Sequence, residues 1–260
     1  MKKAIILDLD GTLFNSARQV SDMNRAVLQR CSRLGILIVI ATARPLRTVL
    51  RRLPGEMHYD YLVLCNGAWV WKNDAVLYRN ELPASVVGRV VRKLHDMGYV
   101  PAIEANDCFY TNGRKDPAFE GSYFPLNTYQ GIPACKVLAQ AEGGFDHCLI
   151  DQALCKEDVS WVVTDNRTLL QVCAPGCSKL NACTAVLQTE GVDLTDTYAF
   201  GDDNNDILLL EAVGCGIAMA NATPELCKVA KYIVESNDDD GVAKGIMRYV
   251  LIDEGVASVS

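Results

Sequence analysis

The chain has 260 residues, half of them hydrophobic and 22% charged, a balance that excludes a disordered polymer and can fill a sizeable core. The 25 basic and 32 acidic residues leave a net charge of −7, so no nucleic-acid partner is expected. The 11 cysteines are scattered without a CxxC pair and accompany only three histidines, which argues against zinc and for a reducing, cytoplasmic compartment.

The first element is a short buried strand, "AIIL" (4–7), which runs directly into Asp8 and Asp10. Two lysines and four apolar residues are too little for a signal peptide. No later stretch reaches the length of a membrane span, so no membrane partner is expected. Ser21 is placed to cap a helix that carries Met23, Val27, Leu28, Cys31 and Leu34 on one face, with Gly35 ending it. "ILIVIA" (36–41) has the continuous apolar character of a strand covered on both faces. Pro45 suits the first turn of a helix. The cluster Arg44, Arg47, Arg51 and Arg52 falls at helical spacing there and is too small to form a phosphate-backbone surface. "YLVLC" (61–65) is a third strand, stopped by Asn66-Gly67.

This alternation resumes late, with strands "TYAF" (197–200), "GIAMA" (216–220) and "YIVE" (232–235). Helices are expected from about Asn205, near Pro224 and at the end. Strand–helix alternation of this kind predicts an α/β, doubly wound parallel sheet. The middle differs. An amphipathic helix ("ASVVGRVVRKLHDMGY") precedes short strands "VPAIEA" and "CFYT", and "VSWVVTDNRTLLQVCA" has the Asp-Asn turn of a hairpin. Residues 1–80 plus 176–260 are therefore expected to form the sheet core, and residues 81–175 an inserted α+β domain. Trp69 and Trp71 share one face of an apparent hairpin, as packing residues. "NDDD" (237–240) has the composition of a solvated loop before a helix. His58, His95 and His147 fall in no motif.

Ligands of open α/β sheets bind at the carboxyl ends of the strands. Asp8 and Asp10, Thr42, Lys179, and Asp202 and Asp206 all occupy such positions. Like charges brought together at a strand end need a cation, a shared proton or a chemical task. Beside a divalent cation, Asp8 is suited to attack an electrophilic phosphorus, with Asp10 as the acid and base. A hard ion such as Mg²⁺ takes oxygen ligands of this kind. Thr42 offers a hydroxyl and Ala43 a backbone N–H to phosphate oxygens, and Lys179 supplies a countercharge.

"DLDGT", a strand-end Thr, a lone Lys and "GDDNND", in that order, resemble the four motifs of the haloacid dehalogenase (HAD) superfamily. The downstream text from "GDDNNDILLLEAVGCGIAMANATPELC" to "SNDDDGVAKGI" resembles its Cof-type phosphatases, subfamily IIB, whose C2-type cap is inserted after the third strand. The resemblance covers both ends of the chain well and the middle in outline. It implies a Rossmann-like core, Asp8 as nucleophile and Asp10 as acid/base. It further implies Mg²⁺ held by the Asp8 carboxylate, the Asp10 backbone carbonyl and Asp202, with Asp206 acting through water. Leu9, Thr42, Ala43, Lys179 and Asn205 would bind or orient the phosphoryl group. The chain departs from the pattern in having Thr42-Ala43-Arg44 for Thr-Gly-Arg and Lys179-Leu180 for Lys-Gly; neither change removes a reacting group.

The expected activity is Mg²⁺-dependent hydrolysis of a small phosphorylated metabolite through an aspartyl-phosphate, by a monomer. Polar residues Tyr110, Asn112, Arg114 and Lys115 are candidates for choosing the leaving group. A phosphotransferase or mutase would use the same intermediate, and a non-catalytic phosphate-binding regulator would use the same pocket. Dehalogenation fits less well, because Asp10 has no task in releasing halide. A receiver domain is too short and lacks DLDGT. Taken singly, Asp8 and Asp10 suit a solvated turn, Thr42, Asp202 and Asp206 suit helix caps, and Lys179 suits a surface position.

Overall fold

Four residues with no exposed surface, β1 (Ala4–Leu7), begin the fold. The structure is a computed structural model that describes residues 2–113 and 123–252; Arg114 and Lys115 lie outside the described residues. After β1 the chain forms α1 (Asp22–Arg33), β2 (Leu37–Ala41), α2 (Leu46–Arg52), β3 (Tyr61–Leu64), β4 (Trp69–Lys72) and β5 (Ala75–Arg79). Then come α3 (Ala84–Asp96), β6 (Pro101–Ala105), β7 (Cys108–Thr111), β8 (Tyr123–Phe124), β9 (Lys136–Gln140), α4 (His147–Leu154), β10 (Ser160–Thr164) and β11 (Leu169–Cys173). The last third holds α5 (Lys179–Glu190), β12 (Thr197–Gly201), α6 (Ile207–Ala212), β13 (Cys215–Met219), α7 (Pro224–Val229), β14 (Tyr232–Val234) and α8 (Gly241–Gly245). Two compact units result: residues 1–42, 52–62 and 183–260, and residues 43–51 and 63–182.

In the first unit the strands run β14-β13-β12-β1-β2, with β3 next in order. All four pairings among the first five are parallel, and Ala4 lies opposite Leu37 on one side and Thr197 on the other. The carboxyl ends of β1, β2, β12, β13 and β14 therefore share one edge, and the fold is the expected doubly wound α/β type. Ser21 caps α1 by accepting the Asn24 N–H at 3.1 Å. The apolar face of α1 departs from expectation. Val27, Leu28 and Cys31 are buried, whereas Leu34 is 43% exposed, because it is the C-cap, where the backbone leaves the helical path. Asn24 is buried in that face instead, satisfied by the Ala243 N–H at 2.9 Å from its Oδ1.

The second unit contains the β4–β5 hairpin and an antiparallel sheet in the order β10-β11-β9-β6-β7-β8, with β7 and β8 parallel. Val86, Val87, Val90 and Leu94 form the buried face of α3, which packs on β6 and β9. The β10–β11 hairpin turns through Asp165, Asn166 and Arg167, all at positive φ. β9 and α4 were not anticipated. β9 carries a buried lysine, Lys136, whose Nζ donates to Ala43 O and to Gln171 Oε1, each at 2.7 Å. Beside it, Arg47 grips the buried Glu104 carboxylate with both terminal nitrogens at 2.5 and 2.7 Å. Gln171 also accepts from Asn66 Nδ2 and donates to Thr164 Oγ1, each at 3.0 Å. Trp69 and Trp71 are buried as packing residues.

Candidate active site

Asp8 continues the β1 ladder by one residue, its N–H donating to Phe200 O at 3.1 Å, and the chain then folds back on itself. Leu9 O accepts the Thr12 and Phe14 N–H groups at 3.3 and 2.7 Å, and Asp8 O accepts the Leu13 N–H at 3.3 Å. Gly11 makes this loop possible at φ +75°. A Cβ at that position would stand 2.1 Å from Asp202 Oδ2, so the glycine supplies both the backbone conformation and the room for the carboxylate. Thr12, fully buried, donates its hydroxyl to Asp202 Oδ1 at 3.0 Å.

At the end of β12, Asp203 caps the next helical turn by accepting the Asn204 N–H at 2.8 Å. Asp206 reaches back to the Asp202 and Asp203 N–H groups, at 3.3 and 3.4 Å from its Oδ2, completing a capping box. Gly201 leaves space for it, since a Cβ there would lie 2.5 Å from Asp206 Cγ. These two loops bring one carboxylate oxygen from each of Asp8, Asp202 and Asp206 within 4.8 Å of one another. Asp8 and Asp206 are only 7% and 1% exposed, so water screens their repulsion poorly. Three hard oxygen donors in such a setting fit a divalent cation.

Thr42 follows β2 in the same unit and is 1% exposed. Asp10 is exposed, and Asn205 is half-buried beside the capping box. The Leu9 side chain is wholly buried, so only its backbone is available to a ligand. Ala43 and Lys179 belong to the second unit. Lys179 is the first residue of α5 and is 1% exposed, a burial that a surface lysine does not have. Thr12 and the glycines had no assigned role in the sequence, although "DGT" contains the signal: a positive-φ glycine followed by a short hydroxyl donor.

The sequence matches the haloacid dehalogenase-like hydrolases over residues 5–246, from β1 to the last helical turns. The chain belongs to this family. Among curated relatives of this hydrolase, the 5-amino-6-(5-phospho-D-ribitylamino)uracil phosphatase YcsE of Bacillus subtilis is 27% identical, with 96% of each chain covered. Phosphatase YwpJ of the same organism is 26% identical over 96% of this chain and 100% of its own. The solved structure of the HAD subclass IIB sugar phosphatase BT4131 has a TM-score of 0.80 at 20% identity, covering 96% of this chain and 100% of the other, and so shares its fold.

Proposed function

We propose that this hydrolase is a Mg²⁺-dependent phosphatase of a small phosphorylated metabolite, a sugar phosphate or similar monoester, working through an aspartyl-phosphate. The observation that carries the reading is the convergence of Asp8, Asp202 and Asp206 at the carboxyl edge of a parallel sheet. The phosphatase relatives above support it, as does the burial of Lys179 at the start of α5.

An Asp8 carboxylate oxygen attacks phosphorus and the bond from phosphorus to the ester oxygen breaks. Asp10 gives its proton to that departing oxygen, and then takes one from the water that attacks the phosphorylated Asp8. Inorganic phosphate leaves and the Asp8 carboxylate is restored. Asp8, Asp202 and the Asp10 carbonyl would hold Mg²⁺, with Asp206 behind them; the bound ion supplies positive charge against which an anionic ester can meet an anionic nucleophile. Thr42, the backbone of Leu9 and Ala43, Lys179 and Asn205 bind and orient the phosphoryl oxygens. Residues 81–175 act as the cap that selects the leaving group, with Tyr110 and Asn112 as candidate selectors. Eleven free thiols and the lack, among the described residues, of a helix long and apolar enough to cross a membrane support a cytoplasmic site of action.

Phosphate release from p-nitrophenyl phosphate and a panel of metabolite monoesters tests this directly. Release by the wild type with Mg²⁺, loss of release in EDTA, and loss in Asp8→Asn are the expected results. A wild type that releases no phosphate from any ester yet still binds phosphate would overturn hydrolysis in favour of transfer or regulation.

A further inference from the structure

We infer that Asn221 and Asn237 are positioning residues that hold Asp10 in place through the backbone on either side of it. The inference rests on the phosphatase reading and extends it to two side chains outside the four motifs. Asn221 lies in the loop after β13 and Asn237 opens the short 3-10 turn after β14, both at the carboxyl edge of the first unit's sheet.

Asn221 Nδ2 donates to Gly11 O at 2.8 Å, and Asn237 Nδ2 donates to Phe14 O at 2.9 Å. The two amides are themselves joined, the Asn237 N–H donating to Asn221 Oδ1 at 3.0 Å. That third bond fixes which end of the Asn221 amide is oxygen, and so which end must meet Gly11. Farther out, Asp238 accepts the Ser16 N–H and hydroxyl at 2.7 and 2.6 Å. The stretch 237–240, expected to be a solvated loop, opens with a 3-10 turn and is tied by three hydrogen bonds to the loop that carries Asp10.

The tied atoms bracket the acid. Gly11 directly follows Asp10, and Phe14 forms a parallel bridge with Asp10 while its own N–H returns to Leu9 O. Asn221 is exposed and Asn237 half-buried, so neither is spent on filling a core. Asp10 is exposed on a loop rather than on a strand, and a general acid must be held within hydrogen-bond reach of the ester oxygen it protonates. The asparagine pair supplies that hold from the two neighbouring strand ends.

The measurement is kcat/KM of wild type, Asn221→Ala and Asn237→Ala, with Mg²⁺, on aryl phosphates ranging from p-nitrophenyl to phenyl. kcat/KM reports the steps up to loss of the leaving group, and p-nitrophenolate leaves without a proton while phenolate needs one. Each variant is expected to lose less than about 3-fold on p-nitrophenyl phosphate and at least about 10-fold on phenyl phosphate. The Mg²⁺ concentration for half-maximal rate should stay within about 2-fold of wild type, since the metal carboxylates are untouched. A loss that is equal across the series, or absent, in folded variants overturns the inference. Should one variant fail to fold, the other decides, because each removes a different bond to the loop. A wild type inert toward every aryl phosphate overturns the phosphatase reading and this one with it; an active wild type with indifferent variants overturns this one alone.

Discussion

A methyl group on residue 11 would press on Asp202 Oδ2, and alanine there would have to adopt φ +75°, so Gly11→Ala strains the backbone and displaces the Asp202 carboxylate together. Its expected phenotype is a loss of about 1–3 kcal/mol in unfolding free energy, measured by urea denaturation, and a raised Mg²⁺ requirement. Asp206→Asn separates those two effects. The amide oxygen still accepts the Asp202 and Asp203 N–H groups, so the helix cap survives, while the cluster loses one negative charge. The melting temperature should hardly move, whereas the Mg²⁺ concentration for half-maximal phosphate release should rise by about 10–100-fold. The residues in these predictions differ in how far the sequence announces them. Asp8, Asp202 and Asp206 stand at strand ends in a spaced pattern and are legible as a group. Thr12 is an ordinary residue type whose buried hydroxyl acquires meaning only through Asp202, 190 positions away.

At the level of elements, a charge in the wrong place for a simple pattern marks what was overlooked. β9 begins with Lys136, and Lys136 faces Glu104 across the ladder from β6, so neither strand presents an uninterrupted apolar run. Both charges are buried, and their cost is met by Arg47, Gln171 and the Ala43 carbonyl, which lie 35 or more positions away in sequence. Burial pushes the Glu104 carboxyl above its ordinary range, against the pull of Arg47 and Lys136. Removing one partner leaves the other charged in a dry setting. Arg47→Met should cost about 3–5 kcal/mol in urea unfolding, and Arg47→Met with Glu104→Leu should recover a large part of it. Asn24 on α1 and Leu34 at its end are smaller cases: helical spacing predicts the stripe, but not that a polar group will be satisfied inside it or that the last apolar residue lies past the cap.

Across the whole molecule, most strands and periodic helices are readable in the sequence, whereas β8, β9 and α4 are not. The alternating strands and helices of the chain ends follow from continuous apolar runs, while α4 and the two-residue β8 lack any such signature. Thiol chemistry gives a check on the placement of the entire chain. Cys148 and Cys155 are the exposed cysteines, and Cys31 is buried, its thiol pushed up to about 11 by desolvation. A raised thiol pKa keeps the thiolate scarce near pH 8. Titration with an aromatic disulfide at that pH should therefore modify two thiols quickly, Cys108 and Cys227 more slowly, and Cys31 only after unfolding in urea. The threading of the first unit from residues 1–42, 52–62 and 183–260 has a further consequence, for synthesis. β1 leaves the ribosome before β2 and can pair with it soon afterwards, but its other edge waits for β12. At roughly 5–20 residues per second that delay is about 10–40 s. Throughout it, an apolar strand edge stands open to neighbours and to chaperones, and Asp8 has no Asp202 to face. On the proposed mechanism, a nascent chain that stops short of β12 has Asp8 without Asp202 or Asp206, so truncated products should release no phosphate however well their first half folds.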